Sequence, residues 1–224
     1  MLVIDDRIVA EDVATAFAAG RQAPVPLIIG TNSAELWWVK ASEMSAYGQM
    51  DDAMTAGECA AFERAYGGPA GYDAFVASDL AFVEPARHLA GLHARAGHPT
   101  YLYRFDVVSA AMPEPHAGAT HASERPYVFD NLTSSSWPTG AMDQAAAQAM
   151  AGYWTAFAAW GDPNGDGRPA WPVFDVQRER LLSFNNSGPA AGPVPFAERL
   201  DLIAAYQARV KTGASECASV GESH

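Results

Sequence analysis

The stretch PVPLIIGTNSAE, residues 24–35, decides how this chain is read. Its apolar run at 25–29 ends at Gly30 and has the length of a strand buried on both faces rather than of a helix. Polar residues follow at once, and Glu35 stands just past the carboxyl end of that strand. In open α/β sheets, ligands and catalytic groups gather beyond the carboxyl ends of strands, which makes Glu35 a candidate functional acid. A glutamate in a loop is more often simply solvated, so the reading needs a partner for it.

The partner lies downstream. TYLYRFD, 100–106, alternates and is rich in aromatics, which predicts a second strand. The loop that follows reaches GATHASERPYVFDNL, 118–132, and places His121 beyond the end of that strand. RLLSF, 180–184, predicts a third strand. Helices are expected at 11–19, 55–68, 78–99, 142–161 and 196–210, with a poorly periodic helical segment over 33–50. Thr55 and Glu58 form a capping-box pattern, Gly67 and Gly68 stop that helix, and Pro85 is positioned to kink the next one. Met150, Trp154, Phe157 and Trp160 read as a core-facing stripe. Strands separated by helices give an α/β class with few, mainly parallel strands and many helices, and three strands leave the sheet incomplete.

Composition narrows the functions. The 224 residues are 49% apolar and 18% charged, with a net charge of −12. That is a globular composition with no surplus of cations to meet phosphates, so nucleic acid and anionic membrane surfaces are not expected partners. No apolar run has the length of a membrane span. The opening MLVIDDRIVAED has no basic region followed by an apolar one, so no signal peptide is read, which favours the cytoplasm if Met1 is the authentic start. Cys59 and Cys217 are far apart and read as free thiols, and no spacing of His, Cys and acids predicts a metal or cofactor. DPNGDG, 162–167, starts like a calcium loop, but the twelfth position is Val173 and a plain turn is expected. His88, His93, His98 and His116 read as surface residues.

VPLIIGTNSAE, SDLAFVEPARHLA, YLYRFD with GATHASERPYVFDNL, YWTAFAAWGDPN and WPVFD, taken in this order, resemble the type B carboxylesterases, which are α/β-hydrolases. The resemblance implies that Glu35 is the acid of a catalytic triad and His121 its base. It implies that Asp79 and Glu124 support the histidine loop without reacting. It also implies a small-molecule carboxylic ester as substrate, an acyl-serine intermediate and no cofactor. Ala34 and Leu36 stand where the family usually has an acidic residue and a glycine beside the acid, and Ala122 stands where it has a glycine after the histidine.

The nucleophile elbow G-x-S-x-G does not occur in the chain, and no Gly-Gly segment precedes the acid to form an oxyanion hole. Ser123 is too close in sequence to His121 to serve as its nucleophile, and Ser33 sits beside the acid. Residues 1–211 therefore read as the C-terminal portion of a longer hydrolase domain, followed by a frayed tail at 212–224. Such a portion is expected to be inactive alone and to self-associate or bind its N-terminal half through the unfinished sheet. The alternatives at this point are a non-catalytic binding module and a gene fragment without function.

Overall fold

The computed structural model describes residues 4–5, 7–40, 50, 52–110, 117–135, 137–165 and 167–211. Helix α1 (Val13–Ala18) is capped by Asp12 and followed by strand β1 (Leu27–Asn32). Helices α2 (Ala56–Ala65) and α3 (Pro69–Ser78) lead into a π-helical turn, Asp79–Val83, which continues as α4 (Glu84–Arg95). Strand β2 (Thr100–Asp106) and the short helix α5 (Arg125–Val128) precede the long helix α6 (Ala141–Trp160). A hairpin of β3 (Arg180–Asn185) and β4 (Gly188–Pro193) and helix α7 (Ala197–Lys211) complete the fold.

The sheet order is β1-β2-β3-β4. The first three strands run parallel, and β4 returns antiparallel to β3. Side chains alternate across the sheet as a strand period of two requires. Tyr101 and Phe105 of β2 point into a core with Met150 and Tyr153 of α6, Trp171 and Phe184. Leu102 points to the other face, with Ala90 of α4, Leu181 and Leu200 of α7. The result is a layer of helix on each face of a mainly parallel sheet, the architecture expected from the alternation of elements. Phe62, Tyr66, Val76, Ala77 and Ile203 form a third cluster among α2, α3 and α7.

The capping box of α2 is present as read, with Thr55 accepting from the Glu58 N–H and the Glu58 carboxylate accepting from that of Thr55. Several elements depart from the sequence reading. Strand β1 does not stop at Gly30 but runs through it to Asn32, because the Tyr103 ring packs flat on that backbone: a Cβ there would lie 2.3 Å from the ring. Its first residues are only half-buried, since among the described residues β1 pairs with β2 alone. The helix read at 78–99 is α3 running into a π turn before α4. Pro85 has no N–H to give, and the Glu84 N–H reaches back five residues to the Asp79 carbonyl. Helix α3 and strand β4 were not read, because their glycine, proline and alanine content masks their periodicity.

Trp160 is 83% exposed, so the stripe on α6 ends at Phe157. His93 is not a surface residue: it is buried, with Nε2 at 2.8 Å from the Val25 carbonyl, and it pins the approach to β1 onto α4. Residues 33–40 form a bridge and turns rather than a helix, and 41–49 lie outside the described residues, as do His116, Cys217 and 212–224. Cys59 is an exposed free thiol. In the DPNGDG segment, Asp162 accepts from the Asn164 N–H in a turn, and Asp166 lies outside the described residues.

Candidate functional site

The register of β1 on β2 pairs Leu27 with Thr100 and Asn32 with Phe105. Both strands therefore end at the same level, and the two loops that leave them start side by side. The loops stay together. The Ala34 N–H donates to the Ala119 carbonyl at 2.9 Å, and Ala34 and Thr120 form a parallel bridge beyond the strand ends. The Ala119 N–H donates to Ser33 Oγ at 2.8 Å. Gly118 is required where it lies, because a Cβ there would come within 2.3 Å of Ser33 Oγ.

This arrangement brings Glu35 and His121 together from 86 residues apart. His121 Nδ1 and Glu35 Oε2 are 2.6 Å apart. The other carboxylate oxygen, Oε1, accepts from the Asn32 N–H at 2.8 Å. Glu35 is buried, 5% exposed, whereas half of the His121 side chain remains open. A buried carboxylate facing Nδ1 fixes the tautomer, with the proton on Nδ1 and a lone pair on Nε2. The Phe82 ring, from the π turn, lies 5.0 Å from the imidazole and is inclined to it by 50°. A half-open histidine with one nitrogen pinned can take a proton at the other and return it, while the carboxylate stabilises the imidazolium in between.

Glu124 and Asp79 flank this pair differently. Glu124 Oε2 accepts from the Asn32 side-chain Nδ2 at 2.6 Å, and the same nitrogen donates to the Thr120 carbonyl at 2.6 Å. Asp79 is buried on the side of the acid loop, where it accepts from the Tyr66 hydroxyl at 2.9 Å. Its neighbour Ser78 accepts from the Leu36 N–H at 2.9 Å. Burial pushes the Asp79 carboxyl up, opposed by the Tyr66 hydroxyl and the guanidinium groups of Arg199 and Arg104. Burial also raises the Tyr103 phenol, and the carboxylates of Glu124 and Glu35 add to that, so a neutral ring backs the acids.

Asn32, Ser33 and Phe82 were not singled out by the sequence reading. Their signal was present in part: Asn32 and Ser33 are polar residues between an apolar strand and the acid, where solvated loop residues were equally expected. Ser33 Oγ is occupied by the Ala119 N–H, and Ser123 Oγ is buried, so neither hydroxyl faces the imidazole as a nucleophile. Among the described residues no group of three or more His, Cys, Asp or Glu could hold a metal ion, and no helix is long and apolar enough to cross a membrane.

Comparison with known proteins places the chain in a family. The model of the carboxylesterase family matches residues 73–202. Rabbit (Oryctolagus cuniculus) cocaine esterase is 35% identical over 127 residues, covering 55% of this chain and 23% of that protein. Fumonisin B1 esterase of Sphingopyxis macrogoltabida is 31% identical over 207 residues, covering 80% of this chain and 36% of that protein. The crystal structure of a Geobacillus stearothermophilus carboxylesterase superposes with a TM-score of 0.71 at 25% identity, covering 89% of this chain and 44% of that one. The chain thus spans less than half the length of each of these proteins. Its parallel sheet, the order of its sequence blocks and the family match together identify it: the chain belongs to the carboxylesterase family, the type B carboxylesterases, and has an α/β-hydrolase fold.

Proposed function

We propose that this chain carries the acid and the base of a serine-type carboxylic ester hydrolase. The observation that carries the proposal is the 2.6 Å contact between Glu35 and His121 at the carboxyl ends of two adjacent parallel strands. In this reading His121 Nε2 takes the proton of a serine hydroxyl as its oxygen attacks the ester carbonyl. The proton then passes to the departing alcohol. Water repeats the sequence on the acyl-serine and releases the acid. Glu35 keeps the Nδ1 proton in place and stabilises the imidazolium. Glu124 supports the histidine loop through Asn32, and Asp79 supports the acid loop from the side of Tyr66. The esterase names of the relatives support a small-molecule ester as the substrate.

The serine and the oxyanion donors come, in this proposal, from sequence outside these 224 residues, and the chain alone is inactive. Its partner is the N-terminal half of the hydrolase or a second copy, docked on the edge of β1 that pairs with no other strand among the described residues. An open groove of about 490 Å³ beside that edge is lined by Pro26 to Ile29, Trp154 and Phe157. Val25 and Trp160 expose further apolar surface, 55% and 83% respectively. Unpaired edges and apolar patches of this kind seek partners.

The test is hydrolysis of a short-chain p-nitrophenyl ester. The purified chain should not exceed background. Adding an N-terminal carboxylesterase segment with G-x-S-x-G should restore turnover. Changing His121→Ala or Glu35→Gln in that complex should cut it by about 10⁴-fold, the scale seen when a triad member is lost. Turnover by the chain alone that disappears in His121→Ala would reject the account of the absent serine. A sharp monomer in sedimentation, with or without the segment, would reject the docking.

A further inference from the structure

We infer that the cleft beside His121 selects esters that carry a second, free carboxylate, with Arg125 as the residue that recognises it; this rests on the esterase reading above. The chain has 26 acidic and 14 basic residues. A cleft of about 570 Å³ opens at His121. Its described walls contain Arg125 and His121 and no aspartate or glutamate. Ser123, Ser134 and Asn131 add hydrogen-bonding groups, and Phe129 and Trp137 add aromatic walls.

Arg125 is held in a definite orientation. Its Nε donates to the Ala122 carbonyl at 3.2 Å, one residue from His121, and the side chain is otherwise exposed. Among the described residues it has no ion pair, so both terminal nitrogens of its fork stay available. A planar fork with one nitrogen anchored fits a carboxylate in two parallel hydrogen bonds. Ser123, between His121 and Arg125 in sequence, also lines the cleft, with its Oγ buried. The ligand class this predicts is a short dicarboxylic acid esterified at one end. The ester carbonyl would lie at His121, and the free carboxylate a few bonds away on Arg125.

The test is titration of the ¹⁵N-labelled chain with monoethyl succinate and, separately, with diethyl succinate. The resonances followed are Arg125 Nε–H and the low-field His121 Nδ1–H. The hemi-ester should move both signals saturably, and the diester should bind about tenfold more weakly, the scale of a hydrogen-bonded charge pair. Arg125→Gln should abolish the difference between the two, and Arg125→Lys should restore part of it. Equal binding of the two esters, no binding of the hemi-ester, or a preference that survives Arg125→Gln would overturn the proposal. The low-field Nδ1 proton reports the Glu35–His121 pair independently. Its absence from the unliganded chain would count against the esterase reading, while the Arg125 signal would still decide the carboxylate preference.

Discussion

Asn32, the last residue of β1, donates its side-chain amide to the carboxylate of Glu124, 92 residues further along the chain, at 2.6 Å. The same nitrogen also reaches the Thr120 carbonyl, and the Asn32 N–H supports Glu35. One buried asparagine thus touches both Glu35 and the loop of His121. It explains how two loops that leave separate strands hold a 2.6 Å contact.

Replacing Asn32→Ala leaves two acceptors, Thr120 O and Glu124 Oε2, without their donor. The expected loss is about 3 kcal/mol of stability, because each buried unsatisfied group is costly. The low-field His121 Nδ1 proton should broaden in the same variant. Urea denaturation and one-dimensional proton spectra check the two effects, and an unchanged proton signal would show that Asn32 does not position the base.

Ala122, directly after His121, has a φ of +64°. This left-handed backbone costs an L-residue roughly 1–2 kcal/mol and glycine little. Glycine is freer in the unfolded chain, which offsets part of the gain. Ala122→Gly is therefore expected to stabilise the chain by about 0.5 kcal/mol. Ala122→Val should destabilise it, since a β-branched side chain fits that backbone worse. Thermal melts of the two variants beside the parent decide it.

Gly30 should not tolerate a side chain. An added Cβ would lie 2.3 Å from the Tyr103 ring and 2.4 Å from its carbonyl oxygen. Backbone cannot yield as a flexible side chain can, so Gly30→Ala is expected to cost about 3 kcal/mol, the upper range for overpacking. It should also separate β1 from β2 and thereby Glu35 from His121. Hydrogen exchange of the β1 amides would report the separation.

Glu84, at the start of α4, is buried, and that burial raises its carboxyl above the ordinary glutamate value. Arg87 and Lys211 oppose the shift, and His88 Nδ1 lies 3.9 Å away. An acid that binds its proton more tightly when folded stabilises the fold below its unfolded value, and that stability is lost as pH rises through the folded value. Glu84→Gln should therefore melt higher than the parent at about pH 8, with the difference shrinking towards about pH 4. A difference that instead grew on acidification would reverse the sign of this argument.

The sequence reading found β1 to β3, the capping box of α2 and the positions of Glu35 and His121 beyond two strand ends, because each rests on a short-range pattern. A strand period, a cap three residues from its partner, or an acid just past an apolar run is written in neighbouring positions. Helix α3 and β4 escaped it, since Gly, Pro and Ala carry little periodic signal. Trp160 and His93 were misplaced for a related reason. An apolar residue at a helical spacing is read as core, and a lone histidine as surface, until the packing of other elements is known.

The chain by itself determined its class, its acidic surface and where Glu35 and His121 stand relative to their strands, through local hydrophobic spacing and residue type. The tertiary structure alone decided that Glu35 and His121 meet. Parallel register between β1 and β2 ends both strands at one level. Asn32, Ser33 and Gly118 then lock the loops through hydrogen bonds and close contact across roughly ninety residues of sequence. Register and long-range hydrogen bonds depend on which strands lie side by side, and no neighbouring residue records that.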